Sequence, residues 1–313
     1  MNHTQITQFF QVTTKYHNKS KQYFIYDPTN KIAIFDYKPE ITDQFIIKKN
    51  GLHLYYRGTI QPNKSPNKKT CDISIPLLKS NLQKAIRRRH KDVAVTSALA
   101  ILDHNPIELF RRLAIIFIED VCLLDCYPII IWWMIADKEY SFSYEDRIIL
   151  IQIIESLCDI IEFLDTDSHI GLPVELTHKS LENNATVLAL YYRSIYGGMK
   201  GDIEMLEKSI YYYANFPEKI LKTLFHSNDI QISQEIEILE EAIDFHPYPV
   251  ILTILEKKIG LSKEKIKETI WFTESGVNIR KKKTLEDSEK YKKTDEWKQI
   301  EPALSYTRLK MIN

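Results

Sequence analysis

Residues 104–125 read HNPIELFRRLAIIFIEDVCLLD, an apolar helical stretch with charge in its middle. Arg111 and Arg112 lie seven to nine positions before Glu119 and Asp120. That is about two helical turns, so charges of opposite sign stack along the helix. A helix this apolar belongs in a core, and a core admits charges only when they are partnered. Arg111, Arg112, Glu119 and Asp120 are therefore read as a structural charge network. Asn105 supplies a cap, Pro106 suits a first turn and Glu108 falls at the third helical position.

The same 3.6-residue period runs through most of the chain from about residue 75. Expected helices span 76–90, 92–103, 106–124, 128–137, 144–164, 178–196, 202–214, 217–226, 232–245, 248–259 and 263–274. Gly197-Gly198 and Gly260 read as helix stops, and Ser143 and Ser262 as N-caps. Before residue 75 the pattern is that of strands at 22–26, 32–37, 44–48 and 52–60, with Asn50-Gly51 as a hairpin turn. The fold class is thus mostly α. It is a multi-helix bundle or set of stacked helical pairs behind a small N-terminal antiparallel β-unit, without a fixed-period repeat. The expected order is a flexible arm at 1–20, the β-unit at 21–62, a linker at 63–74, an α-helical domain at 75–275 and a charged tail at 276–313. Within that tail 280–296 is read as mobile, ahead of a last helix holding Trp297 and Leu304.

Charge is zero in sum but uneven along the chain. Residues 1–80 carry +7, 81–112 carry +4, 113–275 carry −15 and 276–313 carry +4. A phosphate backbone would favour the ends over the body. The most apolar region, 113–136, contains Glu119, Asp120, Asp125 and Pro128. These residues are costly in lipid, so a buried helix pair is expected and no membrane partner. With no basic, apolar leader, the reading is a soluble intracellular protein. The four cysteines (71, 122, 126, 158) form no CxxC pair, and Cys122 and Cys126 read as core.

The N-terminus places His3, Gln5, Ile6, Phe9 and Phe10 in one short segment. This resembles the PCNA-interacting peptide by which eukaryotic, archaeal and large-virus proteins hold a sliding clamp: Gln, two residues, an aliphatic, two residues, two aromatics. The resemblance implies a turn that plugs Ile6, Phe9 and Phe10 into an apolar pocket. His3 stands where the first Gln is usual, with Gln5 near. A fold of these residues back onto the β-unit is the competing reading.

A second resemblance covers residues 81–125. Lys84, Arg87, Asp92, Ala94 and Pro106 lead to Arg111-Arg112, Glu119-Asp120-Val121 and Asp125. The run is similar to the helical, collar-like C-terminal region of clamp-loader-related AAA+ ATPases of the bacterial RarA/MgsA and eukaryotic WRNIP type. It departs at Cys122, where Gly is common, and at Arg88-Arg89, where Gly-Ser is usual. No G-x-x-x-x-G-K-[ST] occurs, so the resemblance implies the helical part without the ATPase module. In relatives that part is implied in oligomerisation and in approach to DNA.

Lys84, Arg87, Arg88, Arg89 and Lys91 form the densest basic cluster and are the candidate nucleic-acid contacts, with a solvated helix end as the alternative. Arg280-Lys281-Lys282-Lys283 is a second basic run, read as a localisation or nucleic-acid tail. Tyr196-Gly197-Gly198-Met199-Lys200 could offer amides to a phosphate, although a helix stop explains it more simply. Asp165, Asp167 and His169 read as a turn, His104, His178 and His246 lack ligand spacing, and no catalytic motif, metal site or cofactor is expected.

These readings converge on a non-catalytic DNA replication or repair accessory protein, at the nucleus or a site of viral DNA replication. Its partners would be a sliding clamp, DNA and a second copy of the chain. Two alternatives stay open: a helical scaffold that binds only proteins, and a metal-dependent nuclease using carboxylates such as Asp120, Asp125, Glu145 and Asp146.

Overall fold

The computed structural model describes residues 22–36, 39–40, 42–49, 51–59, 72–163, 184–225, 235–244 and 248–312. His3, Gln5, Ile6, Phe9 and Phe10, residues 63–71 of the expected linker with Cys71 among them, the 165–169 turn, His178 and His246 lie outside the described residues. The described chain is mostly α-helical with one small N-terminal sheet. It forms two compact units. The first takes the described residues within Met1–Pro66, Phe110–Ile153 and Leu164–Phe225, and the second those within Asn67–Leu109, Ile154–Phe163 and His226–Asn313. Each unit is thus assembled from discontinuous segments of the chain. A small sheet has an apolar face that must be covered, and here helices from later in the chain join its unit.

In the first unit the strands are β1 (Gln22–Asp27), β2 (Ile32–Asp36), β3 (Asp43–Lys49) and β4 (Leu52–Arg57), in the order β2-β1-β4-β3. The sheet is mixed, not purely antiparallel. Two antiparallel hairpins lie side by side through a parallel β1–β4 pairing that sets Phe24 beside Leu54 and Tyr26 beside Tyr56. The β3–β4 turn uses Gly51 at φ 82, a value that a Cβ would disfavour. One sheet face carries Phe24, Tyr26, Phe35, Leu54 and Tyr56. It meets the helix Tyr127–Ala136, whose Trp132 and Trp133 are wholly buried. Trp132 Nε1 donates to the Phe24 carbonyl at 3.0 Å, which satisfies a ring nitrogen that would be costly to bury alone.

The apolar stretch 113–136 is a helix pair, and among the described residues no helix is long and apolar enough to cross a membrane. The first helix, Pro106–Asp120, stops four residues earlier than the expected 124, because Pro128 starts a new one. The intervening backbone is paired by an extended segment at 220–223, where a helix over 217–226 was expected. Leu221 N donates to Leu123 O and Asp125 N to Leu221 O, each at 3.0 Å, and Asp125 accepts from Thr223 N and Oγ1. Among the described residues of that expected helix, 217–225, only a 3-10 turn, Pro217–Lys219, is helical.

Ser143 caps the helix Tyr144–Asp159, as its sequence position predicts. Asp146 N donates to Ser143 Oγ and Ser143 N to Asp146 Oδ2, a reciprocal capping box. Asp146 is 1% exposed and also accepts from Tyr26 at 2.6 Å and Tyr140 at 2.8 Å. One carboxylate thus ties a helix start to β1. Burial raises its pKa, and the Tyr26 hydrogen bond opposes that rise.

The second unit contains α1 (Ile75–Arg88), α2 (Lys91–His104) and, after the three helices just described (α3, Pro106–Asp120; α4, Tyr127–Ala136; α5, Tyr144–Asp159), the C-terminal part of α5. Two helices of the first unit follow, α6 (Ala185–Ile195) and α7 (Lys200–Asn215). The second unit then resumes with α8 (Tyr248–Ile259), α9 (Lys263–Ile270), α10 (Lys282–Tyr291) and α11 (Asp295–Ile312). Its core joins Ile243, Ile251, Leu255, Ile266, Ile270, Trp297, Ile300 and Leu304. Helix α9 runs into a π-helical turn, Trp271–Ser275. Gly276 ends that turn because a Cβ there would lie 2.6 Å from the Trp271 ring.

Of the expected 232–245 helix, the described part shows only a 3-10 turn, Glu240–Asp244. The 280–296 run, expected to be mobile, is ordered as α10 and the start of α11. Ser288 Oγ donates to Thr273 O, Phe272 stacks on Tyr291, and Lys282 pairs with Glu286 one turn on. High charge did not prevent folding here, since the ions alternate in sign at helical spacing.

Asp146→Ala is expected to lower stability by about 3 kcal/mol, because it leaves two buried hydroxyls and a helix start without their acceptor. The adjacent, exposed Glu145→Ala should cost less than about 0.5 kcal/mol. Urea unfolding of both variants measures the difference, and equal small losses would remove Asp146 from its organising place.

Candidate functional site

The basic cluster faces inward at its start, Lys84 and Arg87, and reaches solvent at its end, Lys91. Lys84 and Arg87 are 5% and 7% exposed, on a stripe of α1 that also buries Ser80 and Asn81. The expectation of a solvent-facing basic patch is corrected on this point. The reason lies in the acids that the fold brings to the same place: Glu240, Glu241 and Asp244 from the 3-10 turn, and Glu274 from the π-helical turn.

Arg88 Nε lies 2.5 Å from Glu241, and its Nη2 donates to the Glu274 carbonyl at 2.8 Å. Arg87 Nη1 donates to Ser275 O at 3.2 Å. Arg308, on α11, is 2% exposed and forms a two-point contact with Asp244, through Nε at 3.0 Å and Nη2 at 2.6 Å. Its Nη1 lies 2.7 Å from Glu274, and Ser275 Oγ donates to Asp244 at 2.6 Å. Such bidentate, charge-assisted bonds are the strong class. Burial works against the Arg308 charge, but Asp244 and Glu274 outweigh it and raise the pKa above the usual value. Burial raises Glu274, with Arg308 opposing, and lowers Arg88, with Glu241 opposing.

Lys84 differs from these arginines. Its Nζ donates to Ser80 Oγ at 3.2 Å, one turn back, and among the described residues no carboxylate pairs with it. Burial, and then repulsion from Arg87, brings its pKa down from 10.5 to about 8. An amine with that proton affinity suits acid–base or nucleophilic chemistry. Its burial keeps solutes away from it. A cavity of about 270 Å³ does open beside the network, lined by Arg88, Glu241, Thr273, Glu274, Ser288 and Lys292 among others, but Lys84 is not in its wall.

In the rest of the two basic runs, Arg89 and Arg280 close helix ends. Arg89 sits in the left-handed region at φ 62 and donates from Nε to Cys158 O at 2.7 Å and from Nη2 to Asp159 O at 3.1 Å. Lys91 pairs with Asp159 at 2.7 Å. Arg280 donates to Ile86 O at 2.7 Å, Ile160 O at 2.8 Å and Leu157 O at 2.6 Å. The last carbonyls of α1 and α5 therefore share one guanidinium, which meets their unpaired acceptors and the negative ends of both dipoles. Lys281 lies over the Phe163 ring, and Lys282 is in the Glu286 pair.

The other sequence candidates are scattered. Arg111 is exposed, Arg112 and Glu119 are half-buried and Asp120 is 1% exposed. Arg112, Glu119 and Asp120 are each engaged with another group. Of the carboxylates considered for metal chemistry, Asp125 holds Thr223 and Lys222, Asp146 holds the tyrosines and Glu145 is exposed. Among the described residues no group of three His, Cys, Asp or Glu side chains is placed to hold a metal. Gly197, at φ 93, follows the end of α6, and its carbonyl accepts from Arg193 Nη1 at 2.8 Å. It acts as a helix stop.

Sequence reasoning missed Glu241, Asp244 and Glu274 as the acids beside the basic cluster, and Arg308 as the counter-charge of Asp244 and Glu274. Only the opposition of a +4 segment at 81–112 to a −15 body could have signalled it. No family model matches this chain, and no curated protein or solved structure is significantly similar to it.

Two outcomes are expected from the network. Asp244→Ala should cost about 3–5 kcal/mol, since it leaves Arg308 buried without its main counter-charge, whereas Glu240→Ala, at 3.9 Å and half exposed, should cost under about 1 kcal/mol. For Lys84, the unfolded chain binds more protons than the folded one between pH 8 and 10.5, so stability should rise with pH across that window. Below pH 8 the penalty is fully present, and Lys84→Met should stabilise the protein at pH 7 by about 2 kcal/mol. Denaturant midpoints across pH 7–11 check both. A flat profile with no gain in the Met variant would show that Lys84 is not held in its depressed state.

Proposed function

We propose that this protein is a non-catalytic accessory factor of DNA replication or repair that docks on a sliding clamp through its N-terminal peptide. The observation that carries this reading is the spacing of Ile6, Phe9 and Phe10, with His3 and Gln5 ahead of them. An aliphatic and two aromatics at that spacing can fill one apolar pocket, and anchors of this kind dominate binding energy. The similarity of residues 81–125 to the helical region of clamp-loader-related ATPases points the same way. A tether of this type raises the local concentration of the folded body near DNA to about the millimolar range. The protein would then act in the nucleus or at a site of viral DNA replication, with DNA and a second copy of the chain as further partners.

A second reading is a helical scaffold that binds proteins only. It is favoured by the burial of Lys84 and Arg87 and by the partners that Arg88, Arg89 and Lys91 find within their own unit.

A peptide of residues 1–15 should bind a cognate sliding clamp in calorimetry, and Phe9→Ala with Phe10→Ala should weaken it by at least about tenfold. Absence of heat with the unmutated peptide would retire the clamp reading in favour of the scaffold.

A further inference from the structure

With the Lys84–Lys91 cluster engaged internally, contact with a polyanion requires other cations. The helices α8 and α11 supply them. They pack through Ile251, Leu255, Ile300 and Leu304, so the residues on their outer sides are held in a fixed relation. Tyr306 lies there, 50% exposed. Lys258 Nζ stands 4.5 Å from the centre of its ring and Lys310 Nζ stands 4.8 Å from it.

Helix C-termini favour lysines, which accounts for the two residue types. It does not account for both ammonium groups gathering on one phenol. Among the described residues neither lysine has a carboxylate partner, and the nearest acid in sequence, Glu256, is paired with Lys263. Two ammonium groups beside one exposed phenol make a compact positive spot with three hydrogen-bonding groups. Lys310, and then Lys258, lower the pKa of the Tyr306 phenol, the sign expected of such a potential.

We infer that Tyr306, Lys258 and Lys310 together form a phosphate-binding point for a nucleic-acid backbone. The inference deepens the accessory-factor reading and rests on it only for the source of the phosphate. The ammonium groups would neutralise one phosphate, and the phenol would donate a hydrogen bond to a phosphoryl oxygen. Because lysines occupy the ring, base stacking is not the mode of contact. Binding should therefore be indifferent to sequence and strongly dependent on salt.

The test uses the full chain and fluorescently labelled 20-nucleotide single- and double-stranded DNA at several salt concentrations, read by anisotropy. Lys258→Gln with Lys310→Gln should weaken binding about tenfold and reduce the log–log salt slope by about 1, and Tyr306→Phe should weaken it about threefold. Lys282→Gln with Lys283→Gln, which removes the same charge elsewhere, should change it by less than about twofold. Unfolding curves must show all variants folded. A second arm follows inorganic phosphate by the Tyr306 ring resonances in NMR.

An equal response of the two double variants to DNA would overturn the site. Perturbation by inorganic phosphate without DNA binding would reject the nucleic-acid source and leave a free-phosphate site. The clamp reading is judged separately by the N-terminal peptide, so failure of either is visible without the other.

Discussion

The second unit depends on one contact, the two-point bond between Arg308 and Asp244. Both side chains are almost wholly buried, and burial of a lone charge is among the largest penalties a fold can carry. Once Arg308 is in place, Glu274 and Ser275 complete its surroundings, and the π-helical turn sets Glu274 O toward Arg88. The 3-10 turn that carries Asp244 also presents Glu241 to Arg88. Cations of α1 that would otherwise face water are drawn inward because acids on two later segments, the 3-10 turn and the π-helical turn, gather around them. The ionic interior does not by itself add stability relative to an apolar one. Its effect is on which arrangement of α1, the 3-10 turn and α11 is permitted.

The first unit is organised differently. Its sheet is covered by aromatic packing, with Tyr26 in contact with Trp132, Trp133 and Tyr140. Asp146 is the polar centre of that packing and is satisfied by neutral donors, not by a cation. Two units of one chain thus bury carboxylates by opposite means. One surrounds them with guanidinium groups; the other uses hydroxyl groups, and burial drives the carboxyl toward its neutral form.

Local signals were legible in the sequence. Ser143 and Ser262 as caps, Gly197 and Gly260 as stops, and the strands around Gly51 all follow from nearest-neighbour chemistry, and the structure has them there. The extended segment at 220–223 was not legible, because its hydrogen bonds are with residues nearly a hundred positions away. The parallel β1–β4 pairing was hidden for the same reason, since turn residues specify hairpins and not how two hairpins join. In the candidate site, the cations were found but their direction was not. Arg87 on a helix end looks the same whether it meets solvent or Ser275, and only the distant acids decide. Arg280 shows this well: a four-residue basic run suggested an exposed tail, yet its first member closes two helices.

The separation of Asp244 from Arg308 has a temporal consequence. The two lie 64 residues apart, so a ribosome adding roughly 5–20 residues per second would expose the acid several seconds before its partner exists. During that interval the emerging segment holds an unmatched anion beside Ile243 and must keep it hydrated. The interior of this unit is therefore sealed only after α11 has been made, by a residue 64 positions beyond the acid it meets.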